Sequence, residues 1–271
     1  MIDLSDFTFV IPWRWDSDDR IHNLERVIRF FKMHYENYEL ILIEDAKERK
    51  VPQSIENEKG ITYIFRQNDN DVFHKTKILN DGFKLSKRRF VSCYDVDVIP
   101  HPNAFSTAKI VFDENPNIKY IFPYNGAFLD LGKGSLDKFE EKVFSGENYP
   151  CIKNATVSTQ YTVGALTYVC VNANSPGGMT LLRNDESLWS IGAYNENIMA
   201  CGYEDDEIAL RYTKLGHPPH RLTQFNIVHM QHDRGPNCYP HKHANESASE
   251  HHKVYKMQPE ELRNYVKNGF K

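Results

Sequence analysis

Long apolar runs, clustered cysteines and an excess of positive charge are all missing from this 271-residue sequence, and each absence narrows what it can be. No stretch approaches the ~20 residues needed to cross a bilayer. The opening MIDLSDFTFVIPWRW has neither the basic start nor the apolar core of a secretion signal, so a soluble chain is expected. The five cysteines, Cys93, Cys151, Cys170, Cys201 and Cys238, are odd in number, widely spaced and without a C-x-x-C pair. A disulfide framework and a cysteine zinc site are therefore set aside, and a reducing cytosol fits best. A formal net charge of -4 gives no electrostatic case for nucleic acid as a partner. H-E-x-x-H is absent, which sets aside a metal-dependent hydrolase of that design. The sequence has no internal repeat. Asn154-Ala-Thr and Asn245-Glu-Ser match the glycosylation sequon, but without a secretion signal they read as coincidence.

What is present is the composition of a globular enzyme, with 40% hydrophobic and 26% charged residues. Residues 7–12 (FTFVIP) predict a strand, and Asp16, Ser17 and Asp18 offer caps for a helix whose apolar residues Ile21, Leu24, Val27, Ile28 and Phe31 follow at helical spacing. Further strands are expected over 38–43 and 61–65. They end at Glu44 and Arg66, which places both residues at one sheet edge as candidates for holding a donor. A helix over 72–85 leads into the strand of 88–100. Four strands alternating with helices predict an α/β domain with a doubly wound, mostly parallel sheet. Past Pro100, 125–156 reads as an irregular insertion, 160–171 as a strand or hairpin, 204–215 as a helix and 225–230 as a late strand. Residues 233–253 read as a polar loop, and 259–265 as a closing helix. One domain spans 1–271.

The stretch RRFVSCYDVDVIP reads as a buried strand whose end carries Asp95 and Asp97 on one side and Val96 and Val98 on the other. Paired oxygen ligands beyond a strand end suit a hard divalent cation and a phosphorylated substrate, although a D-x-D is equally a solvated strand end. Glu204-Asp205-Asp206-Glu207 opens a helix. Acids are stabilised there by the helix dipole, yet four neighbouring carboxylates repel one another, so at least one is expected to face a ligand. His229 and His232 form an H-x-x-H pair at the end of the late strand. With a carboxylate they would make a mixed N/O site that favours Mn²⁺ over Mg²⁺. His241, His243, His251 and His252 read as part of the solvated loop.

In order, PWR, FHKTKILNDGF, YDVDVIP, GGMTLLRNDESLWSIGAYNE, GYEDDEIALR and HMQHDR resemble the β-1,4-galactosyltransferase family and its bacterial relatives over about residues 9–237. The resemblance implies the GT-A glycosyltransferase fold, with a nucleotide-sugar-binding half over 1–100, an acceptor and catalytic half over 101–271, and a mobile loop at about 233–253. It implies an inverting transfer of a hexose or N-acetylhexosamine, galactose-type favoured, from a UDP-sugar donor to a saccharide or glycolipid acceptor. Polysaccharide biosynthesis is the implied setting, in the cytoplasm or at the inner membrane face.

The resemblance also carries residue roles. Asp97, His229 and His232 would bind Mn²⁺, with Mg²⁺ as the alternative, and Asp205 would be the catalytic base. Pro12, Arg14, Phe73, Lys75 and Asp95 fall where the family holds uridine diphosphate, and Gly178 of the Gly-Gly segment joins them on the donor side. Glu204, Asp206 and Tyr203 are acceptor candidates, with Tyr203 or Trp189 offering a stacking surface for a sugar. Three departures stand out. His229 replaces a methionine and Lys75 an arginine, and Ala200-Cys201-Gly202-Tyr203 replaces an aromatic, glycine-rich segment. A catalytically inactive carbohydrate- or nucleotide-binding protein of the same fold is the alternative.

Overall fold

The apolar runs of the first hundred residues form strands that are buried except at the edge strand of residues 61–67, and the helices between them lay their apolar stripes on those strands. The structure is a computed structural model that describes residues 1–144, 149–238 and 240–271. Strand β1 (Phe7–Trp13) is buried along its whole length. Helix α1 (Asp18–His34) packs Leu24, Val27 and Phe31 into the same core, Phe31 meeting Phe9 edge-on with ring centroids 4.9 Å apart. Strands β2 (Glu39–Ala46) and β3 (Ile61–Gln67) extend the sheet in parallel from one edge of β1. Helix α2 (Lys75–Leu85) then leads into β4 (Phe90–Tyr94), which is parallel to β1 on its other edge.

The second half adds β5 (Val98–Pro100), α3 (Ala104–Glu114), β6 (Tyr120–Phe122), β7 (Phe128–Leu131) and α4 (Leu136–Val143). A hairpin of β8 (Gln160–Val163) and β9 (Leu166–Asn172) follows, then β10 (Met179–Arg183), α5 (Glu204–Lys214), β11 (His220–Arg221) and β12 (Ile227–Met230). Helices α6 (Ala244–Lys256) and α7 (Pro259–Lys267) close the chain. The strands make a seven-stranded sheet in the order β11-β6-β10-β4-β1-β2-β3 and a five-stranded sheet in the order β8-β9-β7-β12-β5.

The protein is thus mixed α/β. The parallel, doubly wound arrangement holds for β1 to β4. It gives way where β10 enters antiparallel between β4 and β6, and the smaller sheet is antiparallel except for the β7–β12 pair. Other expectations change too. The strand of 88–100 ends at Tyr94, and Asp95, Val96 and Asp97 form a turn before the chain enters the smaller sheet as β5. The two aspartates are therefore not alternating strand residues. Residues 125–156, expected to be irregular, contain β7 and α4; Gly146, noted there in the sequence, lies outside the described residues. Of the expected loop 233–253, the second half is helix α6, which carries His251 and His252, and Tyr239 lies outside the described residues. Only Ser247 and Val254 of α6 are buried, too sparse a stripe to announce a helix in the sequence. Among the described residues no helix is long and apolar enough to cross a membrane.

Candidate functional site

The carboxyl ends of β1 and β4, the turn at 95–97, the approach to β10, the start of α5 and the segment after β12 close around one cleft of about 420 Å³. Pro12, Arg14, Phe73, Lys75, Asp95, Asp97, Gly178, Tyr203, Glu204, Asp205, Asp206, His229 and His232 all line it. Residues spread over more than two hundred positions meet there because β1 and β4 end together at one edge of the larger sheet and β12 of the smaller sheet carries His229 and leads into His232 beside it.

Two donor-side candidates lie elsewhere. Strand β2 runs on through Glu44 and Asp45 to Ala46, so Glu44 sits within the sheet rather than past its end. Its buried carboxylate accepts the Lys50 N–H at 2.7 Å and the Tyr63 hydroxyl at 2.5 Å, and it serves the fold. Arg66 donates to Asp45 Oδ1 at 2.8 Å and Asp81 Oδ2 at 3.0 Å beside a neighbouring depression. Trp189 does not line the cleft either.

At one end of the cleft, Asp97, His229 and His232 each present a ligand atom, and these atoms lie within 4.8 Å of one another. His232 Nε2 is 3.0 Å and His229 Nε2 4.0 Å from Asp97 Oδ2. Both rings are fixed through their far nitrogens: His229 Nδ1 lies 2.6 Å from Asp130 Oδ1 and His232 Nδ1 2.7 Å from the Asp233 carbonyl. Those contacts put the proton on Nδ1 and leave Nε2 as the ligand atom. Two anchored imidazoles and a carboxylate fit a divalent transition metal. Burial works against the charge of Asp97, but Arg20 and the two histidines hold its carboxyl well below the usual carboxylate range. The pairing of β12 with β5 sets His229 opposite Val98, and the Met230 N–H donates to the Asp97 carbonyl at 2.7 Å.

At the other end, Asp205 stands in the first turn of α5. Its Oδ1 accepts from the Tyr194 hydroxyl at 3.3 Å, and its Oδ2 packs so close to Gly177 that a Cβ there would come to 3.0 Å. Burial pushes the Asp205 carboxyl well above its ordinary value; Lys75 pulls it back, and Glu204, Asp95 and Asp206 add to the rise. Lys75 Nζ bonds Asp95 Oδ1 and Glu204 Oε1, both at 2.9 Å, with Asp205 Oδ2 at 3.9 Å. Burial opposes its charge, but these carboxylates keep the ammonium protonated well past its usual range. Its amine is thus engaged by acids rather than free for a diphosphate. Tyr203, the residue before α5, adopts φ 73°, a left-handed conformation that costs a non-glycine residue roughly 1 kcal/mol, and its ring packs against His251. Gly178, at φ +84°, turns the chain where a Cβ would meet Phe128 Cε2 at 2.7 Å, and its carbonyl accepts the Asp95 N–H at 2.8 Å.

Several contributors were not singled out as site residues from the sequence, although Asp45 was expected beside Glu44 at the end of its strand. Arg20 binds Asp97, and Asp130 orients His229. Asp45 gathers Arg14, Arg66 and Asn68 on one buried carboxylate. Asn237 ties the segment after β12 across the cleft: its Oδ1 accepts the Phe73 N–H at 3.0 Å and its carbonyl the Cys201 N–H at 3.4 Å.

No family model and no curated protein matches the chain. Among solved structures it is similar to the catalytic domain of Drosophila β1,4-galactosyltransferase 7 in complex with xylobiose, at 14% identity and a TM-score of 0.47, over 96% of this chain and 84% of that one. It is also similar to a mutant of that Drosophila enzyme in complex with manganese, UDP-Gal and xylobiose, at 14% identity and a TM-score of 0.41, over 83% of this chain and 70% of that one.

Proposed function

We propose that the protein is a metal-dependent, inverting glycosyltransferase of the β-1,4-galactosyltransferase-like GT-A type, moving a galactose-type hexose or N-acetylhexosamine from a UDP-sugar to a saccharide hydroxyl. The observation that carries this reading is the pairing, within one cleft, of an Asp97-His229-His232 ligand set with a buried, proton-avid carboxyl at Asp205. A divalent cation held by those three residues, Mn²⁺ by its liking for imidazole, would offset the charge that grows on the departing diphosphate. Pro12, Arg14 and Phe73 border the donor side, with Arg14 fixed by Asp45 and stacked 5.6 Å from the Phe73 ring. Asp205 takes the proton of the acceptor hydroxyl while that oxygen attacks the anomeric carbon from the face opposite the diphosphate; the bond to UDP breaks and the configuration inverts. A pKa raised by burial makes the ionised carboxylate a stronger base than an exposed one. Tyr203 and Asp206 stand on the same side as Asp205 and serve the acceptor. The segment after β12 excludes water from the donor.

UDP release from a panel of UDP-sugars, with Mn²⁺ or EDTA and with simple saccharide acceptors, tests the class. Turnover of one donor that EDTA abolishes is expected. Asp205→Asn should lower that turnover by roughly 10²- to 10⁴-fold while leaving metal-dependent UDP binding intact. Unchanged turnover would remove Asp205 from the base role. Tight UDP binding without turnover of any donor would favour a nucleotide-binding protein of this fold.

A further inference from the structure

Arg20 stands in the first turn of α1, and its Nη1 donates to Asp97 Oδ2 at 2.6 Å. His232 Nε2 and His229 Nε2 approach that same oxygen at 3.0 and 4.0 Å. The atom on which the ligand set converges is thus already bonded to a fixed cation. A guanidinium does not shed its proton, and Asp16 Oδ1 lies 3.4 Å from Arg20 Nε as an ion-pair neighbour. The only formal negative charge among the three ligands belongs to Asp97, so a divalent ion arriving there adds two positive charges beside the one that Arg20 keeps. At separations of a few ångströms in a half-buried cleft such repulsion is much larger than at the surface.

A nucleoside diphosphate changes that balance. It brings negative charge and oxygen ligands for a cation, and it offers the planar guanidinium fork an acceptor of matching geometry. We infer that Arg20 is a positioning residue that holds Asp97 against a divalent cation until a nucleoside diphosphate draws its guanidinium onto phosphate oxygens, so that metal and nucleotide bind cooperatively. The inference rests on the metal and diphosphate reading of the cleft. It assigns the coupling to one side chain. Reciprocity requires that Mn²⁺ tighten UDP by the factor with which UDP tightens Mn²⁺.

The test is titration of Mn²⁺ into the wild type, Arg20→Gln and Arg20→Lys, with and without UDP, followed by calorimetry or by the electron spin resonance of free Mn²⁺. The wild type should bind Mn²⁺ about tenfold or more tightly when UDP is present. Arg20→Gln should bind Mn²⁺ alone about tenfold more tightly than the wild type and gain less from UDP. Arg20→Lys keeps the charge and should stay near the wild type in Mn²⁺ binding without UDP. Removing a cation that merely supports the fold or contacts phosphate would not improve metal binding. If folded Arg20→Gln binds Mn²⁺ alone no better than the wild type while UDP still tightens Mn²⁺ in the wild type, the role of Arg20 falls and the reading of the cleft stands. If the glutamine variant does not fold, independent binding of Mn²⁺ and UDP to the wild type overturns the inference by itself. If no protein binds Mn²⁺ with or without UDP, the reading of the cleft falls and the inference with it.

Discussion

Lys75 and Asp205 set the chemistry of the cleft one charge at a time. Asp205 faces Lys75, Glu204, Asp95, Asp206 and the Tyr194 hydroxyl, and of these Lys75 favours its ionised form most. In the proposed base role Asp205 must be ionised, so transfer should rise with pH through its raised pKa, on an acid limb above the ordinary aspartate value of about 3.9. Replacing Lys75 with Met removes the charge that lowers this pKa, and the limb of the pH profile of kcat should move to higher pH. Lys75→Arg should hold it in place. A limb that does not move in Lys75→Met would separate the two residues. Single residues were legible where their type was scarce or their spacing marked: the D-V-D, three of the four acids and the H-x-x-H stand in the cleft, while the fourth, Glu207, is buried against Arg211. Arg20 and Asp130 were not legible, because one arginine or aspartate in a charged sequence is indistinguishable from a solvated one until its partner across the fold is known. Glu44 misled for a local reason: its strand runs two residues past it, which turns an edge acid into a buried hydrogen-bond acceptor.

Among the elements, β10 and its approach hold the turn of Asp95 to Asp97. Gly178 combines a left-handed φ with a contact to Phe128 that leaves no room for a Cβ, and its carbonyl fixes the Asp95 N–H. Gly178→Ala should therefore destabilise the fold by more than about 1 kcal/mol and weaken Mn²⁺-dependent UDP binding together with it, as read by denaturant unfolding and calorimetry. Normal stability with normal binding would mean that the turn is held from elsewhere. The β-α alternation of the first hundred residues was readable because each strand there is a continuous apolar run. Of the smaller sheet, the hairpin within 160–171 and the late strand within 225–230 were readable as well, whereas β7 and the separate β5, of four and three residues, were not, since they find partners far along the chain. Such short segments carry too little periodicity to distinguish a strand from an irregular stretch.

For the molecule as a whole, ligands that occupy the cleft bridge parts of the chain that otherwise meet through a few contacts, and they should appear as stability. A ligand at a hundred times its dissociation constant adds about 2.7 kcal/mol. UDP and Mn²⁺ together should raise the melting temperature by more than the sum of their separate effects, and EDTA should cancel the excess; simple additivity would disconnect the two sites. The general architecture was within reach of the sequence, but the division of labour between the sheets depends on long-range pairing. The Asp97-His229-His232 cluster rides on the smaller sheet, through Asp97 ahead of β5 and His229 in β12, whereas Lys75 and Asp205 open helices α2 and α5, whose apolar faces share a core with residues of β1 and β4. The chain passes from the larger sheet to the smaller after β4, β6 and β11, and the shortest of these passages is the turn of Asp95 to Asp97. A slide of one sheet against the other would change the spacing between Asp97 and Asp205, and this shortest crossing would act as the gauge of that spacing.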